Sequence, residues 1–220
     1  MPKPKTRTKI KDKWREKQWV VVEAPTAFGN TPVAYVPLTS TETAIGRVVD
    51  TTLFDLQKLD PQQYAIKLYF QIDKVHDGKA DTIMKGHEYS KEYLRSMIRR
   101  GSSMVNFIKD YETKDGYLVR VYTVVFTQGR INSSKKHDLR LLADKIVGEK
   151  MKTLDYNTFY QEVVAEKIGA EIQEQAKKIV HLRKVGIRKT KLLRRPKETV
   201  TAAPPEEEAE EETEVEAAAA

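Results

Sequence analysis

The sequence predicts an α+β protein: an antiparallel β-barrel domain followed by packed C-terminal helices, with a basic N-terminal arm and a disordered acidic C-terminal tail. Apolar and polar residues alternate in several segments up to residue 126, whereas apolar residues beyond it recur every three to four positions. Strands followed by helices are the order of an α+β fold, and closely spaced antiparallel strands favour closure into a barrel. The charge distribution predicts the arm and the tail.

Charge divides the 220 residues, whose net charge is +7, into a near-neutral body and strongly charged ends. Residues 1–19 hold eight Lys or Arg and two acids, residues 181–200 hold eight and one, and residues 201–220 hold eight Glu. Such polar ends cannot bury enough apolar surface to offset the entropy of ordering. The predicted divisions are the arm at 1–18, the barrel with one short helix at 19–130, the helical part with its basic segment at 131–198, and the tail at 199–220.

The first predicted strand is the β-branched run Val20–Ala24, which Pro25 ends. Residues 26–43 are rich in Thr, Pro and Gly and predict mostly loop. Alternation over residues 45–53 then predicts a second strand.

Two hairpins follow. Alternation over residues 64–88 with Asp77-Gly78 at its centre predicts the first, and residues 104–126 around the turn 113–116 predict the second. Between them a short helix is predicted, with Ser90 as N-cap and Gly101 as C-cap.

Two helices are predicted after residue 129. Ser133 or Ser134 caps the first, whose buried face carries Leu139, Leu142, Ile146 and Val147. Thr158 and Gln161 predict a capping box for a longer helix that carries Val164, Ile168 and Ile172. The basic segment is consistent with either a helix or a strand, because six of its cations lie within about 140° on a helical wheel while Val185, Ile187 and Thr190 favour a strand.

No catalytic or metal-binding pattern is found. The chain has no cysteine, which excludes a disulfide framework and a thiolate zinc site. It has no Walker loop, GxGxxG or GxSxG, and His76, His87, His137 and His181 lie far apart on different predicted elements. We therefore expect neither enzymatic activity nor a cofactor or metal. With no signal peptide and no apolar run of about 18 residues, the sequence predicts a cytoplasmic protein without membrane contact.

The clustered cations predict binding to a polyanion such as folded RNA, whose phosphates release counterions when Lys and Arg neutralise them. Trp14 and Trp19 have two interpretations: they stack on bases, or, as the interpretation we favour, they belong to the core or cover it. The predicted RNA-binding residues are Lys3, Lys5, Arg7, Lys9, Lys11, Lys13, Trp14, Arg15 and Lys17 at one end, and Arg183, Lys184, Arg188, Lys189, Lys191, Arg194, Arg195 and Lys197 at the other.

Several motifs occur in the same order as in a known family. They are KDKWREKQW at 11–19, Ala24-Pro25 with Phe28, IGRVVDTTL at 45–53, KLYF at 67–70, SMIRR at 96–100, TKDGYLVR at 113–120 and LRKVGIRKTKLLRRPK at 182–197. The chain resembles the small-subunit ribosomal protein family of archaea and eukaryotes called eS-one, formerly S-three-a-e.

The resemblance implies a β-barrel with packed helices on the platform of the small ribosomal subunit, near the mRNA exit. It implies binding to ribosomal RNA and to neighbouring ribosomal proteins, with mRNA and initiation factors as possible further partners, and no enzymatic role. The family's basic ends correspond here to Lys11, Lys13, Arg15 and Lys17 and to the eight cations of residues 183–197.

The predicted function is thus a structural, RNA-binding constituent of the small ribosomal subunit. One alternative is an RNA-binding or initiation-associated module that visits ribosomes without residing in them. A second alternative is an RNA-acting enzyme, which requires convergent polar side chains in a pocket.

Overall fold

The computed structural model describes residues 14–196. Within this range the chain forms eight strands, five α-helices and two short 3-10 helices. In chain order they are β1 (Gln18–Glu23), a 3-10 turn (Thr26–Phe28), β2 (Pro32–Leu38), β3 (Val48–Thr52), α1 (Leu53–Gln57), a 3-10 turn (Pro61–Ala65), β4 (Ile66–His76), β5 (Lys79–Tyr89), α2 (Lys91–Met97), β6 (Met104–Glu112), β7 (Leu118–Thr127), α3 (Ser133–Thr153), α4 (Tyr156–Val164), α5 (Lys167–Ala176) and β8 (Leu182–Arg194).

The eight strands form one sheet that branches at β5. The main order is β2-β1-β5-β8-β7-β6, while β4 pairs with β5 as well, and β3 pairs with β4. β5 lies parallel to β1 over Lys79 and Ala80, and it is antiparallel to β4 along its length. Near its other end, Glu88 of β5 pairs with Lys189 of β8. β5 thus connects the N-terminal and C-terminal strands of the chain.

The mixed α+β class is confirmed, whereas the predicted closed barrel is not. Within the part of the chain that the structure describes, β2, β3 and β6 each pair with one strand only and leave the sheet open. The physical reason is that β5 is shared among three partners, so the strands diverge from it and do not return to a common seam.

Both predicted hairpins are confirmed. In the first, β4 and β5 are joined by Asp77 and Gly78, whose φ angles of 45° and 79° are those of the tight turn that the sequence predicts. In the second, β6 pairs with β7 in an unbroken register from Met104 opposite Phe126 to Glu112 opposite Leu118.

The loop predicted over residues 26–43 is wrong in part, because β2 occupies Pro32–Leu38. Two prolines in a seven-residue segment obscured the strand. They are tolerated because β2 is an edge strand, where a missing N–H can face away from the ladder. The strand predicted over 45–53 is shorter, since Thr52 caps α1 by accepting a hydrogen bond from the Asp55 N–H at 3.3 Å.

The short helix between the hairpins begins as predicted but ends early. Ser90 Oγ accepts a hydrogen bond from the N–H of Tyr93 at 3.3 Å, as expected of an N-cap. The helix ends at Met97, and Ile98 is already extended. Gly101, predicted as the C-cap, instead lies in the following turn with φ 79°.

Two other helix predictions are corrected. The N-cap of α3 is Asn132, and Ser133 is its first helical residue. The long helix predicted after Thr158 is two helices, because Glu166 has φ 56° and interrupts the chain between α4 and α5. Thr158 does not cap a helix: its hydroxyl donates to the carbonyl of Asp155, the N-cap of α4.

The main core lies between the sheet and the helices α3, α4 and α5. Its largest fully buried side chains include Phe70, Phe159 and Tyr160, and the predicted core residues Leu139, Ile146 and Val147 are among its members. A smaller cluster lies beneath β1 and β2, formed by Val20, Val22, Leu38, Ala44, Ile72 and Ala80. The β8 backbone is therefore held between two strands and above a packed interior.

Candidate nucleic-acid interface

The basic segment is a strand, β8, with an unusual register. Its pairing with β7 omits one residue at each of three positions: Arg183, Arg188 and Leu193 have no partner in the ladder. These positions are five residues apart. At each of them β8 carries one residue more than β7 does, which is the definition of a β-bulge.

The three bulges place most of the cations on one side of the strand. The side chains facing the core are all buried, and they are Leu182, Val185, Ile187, Thr190 and Leu192. In a regular strand this alternation would send every second cation inward. Because each bulge adds one residue, two consecutive side chains remain outside at 183–184, 188–189 and 193–194. We call the outward cations Arg183, Lys184, Arg188, Lys189, Lys191 and Arg194 the cationic face.

Some of these cations have protein partners. Lys189 Nζ lies 2.8 Å from a carboxylate oxygen of Glu88, directly across the strand pair with β5. Lys184 pairs with Glu166, and Arg195, just beyond the strand, pairs with Asp73. Arg183 donates to the carbonyl of Met97 at 3.4 Å. These contacts hold the strand in place and neutralise part of its charge.

Three cations of the face have neither an ion pair nor a side-chain hydrogen bond with another residue in the range 14–196. They are Arg188, which is half-buried beside α2, and Lys191 and Arg194, which are exposed. The backbone of β8 holds their spacing, and their charge is not neutralised by a neighbouring carboxylate. These three side chains are therefore the strongest candidates on β8 for contact with an external anion.

Lys184 belongs to a polar cluster at the start of β8. Glu166 Oε1 accepts a hydrogen bond from the Tyr89 hydroxyl at 2.9 Å, and its other oxygen accepts from Lys184. Burial lowers the pKa of Lys184, but the Glu166 carboxylate more than offsets this, so the lysine pKa is raised overall. Tyr89 also lies against Gly186, where a Cβ atom would come within 2.8 Å of the hydroxyl oxygen. Lys184 is thus engaged within the protein.

His87 is fully buried where β5 and β8 approach each other. Its ring Nδ1 lies 2.7 Å from Thr190 Oγ1, and its Nε2 lies 3.0 Å from the carbonyl oxygen of Ile187. The adjacent Gly86 permits the approach, because a Cβ there would lie 2.2 Å from the Thr190 carbonyl oxygen. His87 therefore has a structural role between the two strands.

At the N-terminal end, the structure describes Trp14, Arg15 and Lys17 of the predicted RNA-binding set. Lys17 Nζ lies 3.7 Å from the centre of the Trp14 ring, a cation–π contact, and Arg15 is exposed. The interpretation of Trp14 and Trp19 as core residues is wrong: they are 62% and 64% exposed. Lys3, Lys5, Arg7, Lys9, Lys11, Lys13 and Lys197 lie outside the described residues, as does the acidic tail.

Among residues 14–196, no group of three or more His, Cys, Asp or Glu side chains is placed to hold a metal ion. In the same range, no helix is long and apolar enough to cross a membrane.

A comparison with known families decides the identity. The model of the Ribosomal S3Ae family matches residues 5–196, a range that includes all the residues that the structure describes. The chain belongs to this family. It is therefore a ribosomal protein with a structural, non-enzymatic role.

Archaeal relatives within this family cover most of the chain. A small ribosomal subunit protein eS1 from Desulfurococcus amylolyticus is 43% identical over 86% of this chain and 88% of its own length. Proteins with the same name from Sulfolobus acidocaldarius and Saccharolobus solfataricus are 40% and 44% identical, over 88% and 85% of this chain and 98% and 89% of their own lengths.

Sequence reasoning missed two features of the site. It did not foresee the bulges, because no residue type marks them: they follow from the pairing with β7. It also did not separate cations with internal partners from those without, since Glu88, Glu166 and Asp73 are distant in the sequence from the lysines and the arginine that they contact.

Proposed function

We propose that this protein is a resident constituent of the small ribosomal subunit, where it binds ribosomal RNA at the platform near the mRNA exit. The assignment to the small subunit is supported by the names of the relatives. The proposed location at the platform is based on the resemblance of the sequence motifs to the family. Neighbouring ribosomal proteins are partners in the same proposal, and mRNA and initiation factors are further partners that remain predictions.

The observation that carries the RNA-binding part of the proposal is the cationic face of β8. Three bulges keep six cations on one side of a strand that is hydrogen-bonded to both neighbours. A flexible basic tail would lose conformational entropy on binding, whereas the backbone of this strand is already ordered. The face is therefore suited to contact successive phosphates of a folded RNA by charge and shape.

Within this face the structure supports a division of roles. Arg188, Lys191 and Arg194 carry charge with no internal partner in the described range and are proposed to contact phosphates directly. Lys184 and Lys189 are paired with glutamates, so an RNA phosphate must compete with a carboxylate for them. We propose that the paired lysines mainly fix the strand.

The N-terminal residues form the second part of the proposed interface. Arg15 and Lys17 precede β1, and residues 1–13 add six further cations to the same end. We keep the predicted division of the chain in this proposal: a basic arm at 1–18, a mainly β part at 19–130, a helical part with the basic segment at 131–198, and a tail at 199–220. The two charged ends reach into RNA while the body supplies a rigid support.

A charge-removal experiment tests the proposal. The triple variant Arg188→Gln, Lys191→Gln, Arg194→Gln is expected to bind a structured ribosomal RNA fragment at least about tenfold more weakly at low salt. The slope of log affinity against log salt is expected to fall by about two to three, because each lost phosphate contact removes roughly one released counterion. Filter binding between about 50 and 200 mM salt measures both quantities.

The matched control removes the same charge elsewhere. Lys135, Lys145 and Lys152 are exposed on α3, and their triple Gln variant is expected to retain most of the affinity. Equal losses in the two triple variants would contradict a specific role for β8. Sucrose-gradient sedimentation separately tests residence: a constituent stays on the small subunit in fixed stoichiometry at moderate salt, whereas a visiting factor is released.

A further inference from the structure

The β1–β2 hairpin presents an exposed aromatic surface that the cationic face does not include. Trp19 on β1 and Tyr35 on β2 are 64% and 67% exposed. Trp19 lies opposite Pro37, and Tyr35 lies opposite Val21, so all four side chains project from one side of the two strands. We call Trp19, Val21, Tyr35 and Pro37 the aromatic face.

The other side of the same two strands explains why the rings are held outward. Val20, Val22 and Leu38 are buried in the smaller core cluster. Because strand side chains alternate, anchoring this side inward fixes the aromatic face toward solvent. Val21 and Val22 also pair with β5, so the hairpin is attached to the rest of the sheet. The exposure of Trp19 and Tyr35 is thus a consequence of the register and not of a loose loop.

The two rings are suitably spaced for flat ligands. Trp19 and Tyr35 are diagonal neighbours across the strand pair, a relation that separates backbone positions by about 7–8 Å. Aromatic side chains at diagonal positions are long enough to border the same patch of surface. A planar group can therefore lie on either ring or extend across both.

The surrounding charge favours a nucleic acid as the occupant. Arg15 and Lys17 immediately precede β1, and residues 1–19 carry a net charge of +6. The single acidic residue of β1, Glu23, pairs with Lys79 at 2.7 Å, and Glu16 lies between Arg15 and Lys17 in the sequence. Exposed aromatic rings beside cations are the arrangement that binds unpaired bases: the rings stack on the bases and the cations contact the phosphates.

We propose that Trp19 and Tyr35 form a stacking site for unpaired RNA bases, distinct from the phosphate-binding face of β8. The two surfaces are separate: β1 joins β5 at Lys79 and Ala80, whereas β8 joins it at Glu88, roughly 30 Å further along the strand. The inference deepens the proposed function because it also takes RNA as the partner, but it assigns single-stranded RNA to a different surface.

Tryptophan fluorescence tests the site directly, because the chain has only two tryptophans. In a Trp14→Phe background Trp19 is the sole tryptophan. Titrating the full-length protein with a short unstructured RNA oligonucleotide is expected to quench Trp19 emission, and a duplex of the same length is expected to quench it much less. Adding Tyr35→Ala is expected to weaken binding of the unstructured RNA by about 5- to 100-fold, whereas Tyr35→Phe retains it.

Two controls separate this inference from the proposed function. Leu141→Ala removes an apolar side chain that is 55% exposed on α3 and is expected to leave both titrations unchanged. The triple Gln variant of Arg188, Lys191 and Arg194 is expected to weaken binding of structured RNA while Trp19 quenching by unstructured RNA persists.

The results that would reject the stacking site differ from those that would reject RNA binding by the cationic face. Unchanged Trp19 emission with unstructured RNA at low salt, or equal affinity in the Tyr35→Ala variant, would reject the stacking site and leave the cationic face untouched. The aromatic face would then be assigned to a protein neighbour. Loss of structured-RNA binding alone would concern the proposed function only.

Discussion

At the residue scale, His87 shows how a buried polar side chain is accommodated between two strands. A carbonyl can only accept, so Nε2 carries the proton and donates it to Ile187 O. Nδ1 then accepts from the Thr190 hydroxyl, whose oxygen in turn accepts from the His87 backbone N–H at 3.1 Å. These contacts satisfy the neutral imidazole, and burial lowers the pKa of His87 from 6.5 to about 4.

The pKa of His87 predicts a stability loss on acidification. Well above pH 6.5 the histidine is neutral in both states and its contribution is constant. Between pH 6.5 and about 4 the unfolded chain binds a proton that the folded chain does not, so the free energy of unfolding falls as pH falls. From neutral pH to pH 5 the loss is about 2 kcal/mol. Urea unfolding at several pH values measures it.

His87→Gln and His76→Gln separate this effect from other titrations. The His87 variant is expected to be less stable at neutral pH but to have a flatter pH dependence between 6.5 and 5. The exposed His76 serves as the control and is expected to keep the wild-type slope. Identical slopes in the wild type and the His87 variant would show that another group is responsible.

At the element scale, the bulges explain why the basic segment could not be assigned from its periodicity. Cations at 183–184, 188–189 and 194 follow neither the period of two of a regular strand nor a clean helical repeat. The sequence fits a strand once the bulges are included. Each bulge adds one residue, so the next buried residue of β8 again points toward the core.

Deleting a bulge residue is predicted to be tolerated much better than deleting a ladder residue. Removing Arg188 leaves Ile187 and Lys189 opposite Thr123 and Tyr122, as in the wild type, so the core side is unchanged and the cost is modest. Removing Gly186 instead is expected to turn Ile187 outward and Arg188 toward the core. An unpaired buried guanidinium makes that change cost more than about 3 kcal/mol.

Urea unfolding of the two deletion variants measures the difference, and far-ultraviolet circular dichroism checks that each retains the sheet. Equal destabilisation of both variants would mean that the segment around Arg188 is not a bulge. The Arg188 deletion also removes one cation of the cationic face, so its RNA affinity is expected to fall while its fold is kept.

At the scale of the whole molecule, the excess positive charge is concentrated near the two ends of the sequence. The N-terminal cations precede β1, whereas the cations of β8 lie on an interior strand of the sheet. The acidic tail follows β8 closely in the sequence. We propose that its eight glutamates compete with RNA for the cationic face by transient electrostatic contact.

Removing residues 201–220 is therefore predicted to raise the affinity for non-specific RNA at low salt. The difference is expected to disappear at high salt, since screening weakens the competing contact. Changing the eight glutamates to glutamine in the full-length chain should reproduce the effect and excludes a contribution from chain length. Filter binding measures the affinities, and equal values with and without the tail would reject the competition.

Much of the fold follows from the sequence alone. The two hairpins, the first strand, predicted at Val20–Ala24 and found at Gln18–Glu23, and the buried face of α3 depend on local periodicity and turn residues, which neighbouring positions specify. The family and the concentration of cations at two ends are likewise properties of the sequence.

The tertiary structure decided what depends on partners distant in the chain. The open sheet results from β5 pairing with three strands, and β2 could not be recognised because only its edge position makes its prolines acceptable. Pairing with β7 created the bulges that gather the cations, and the placement of Glu88, Glu166 and Asp73 left Arg188, Lys191 and Arg194 without ion pairs among the described residues. Local periodicity specifies elements, whereas register and ion pairing require segments separated by many residues to meet.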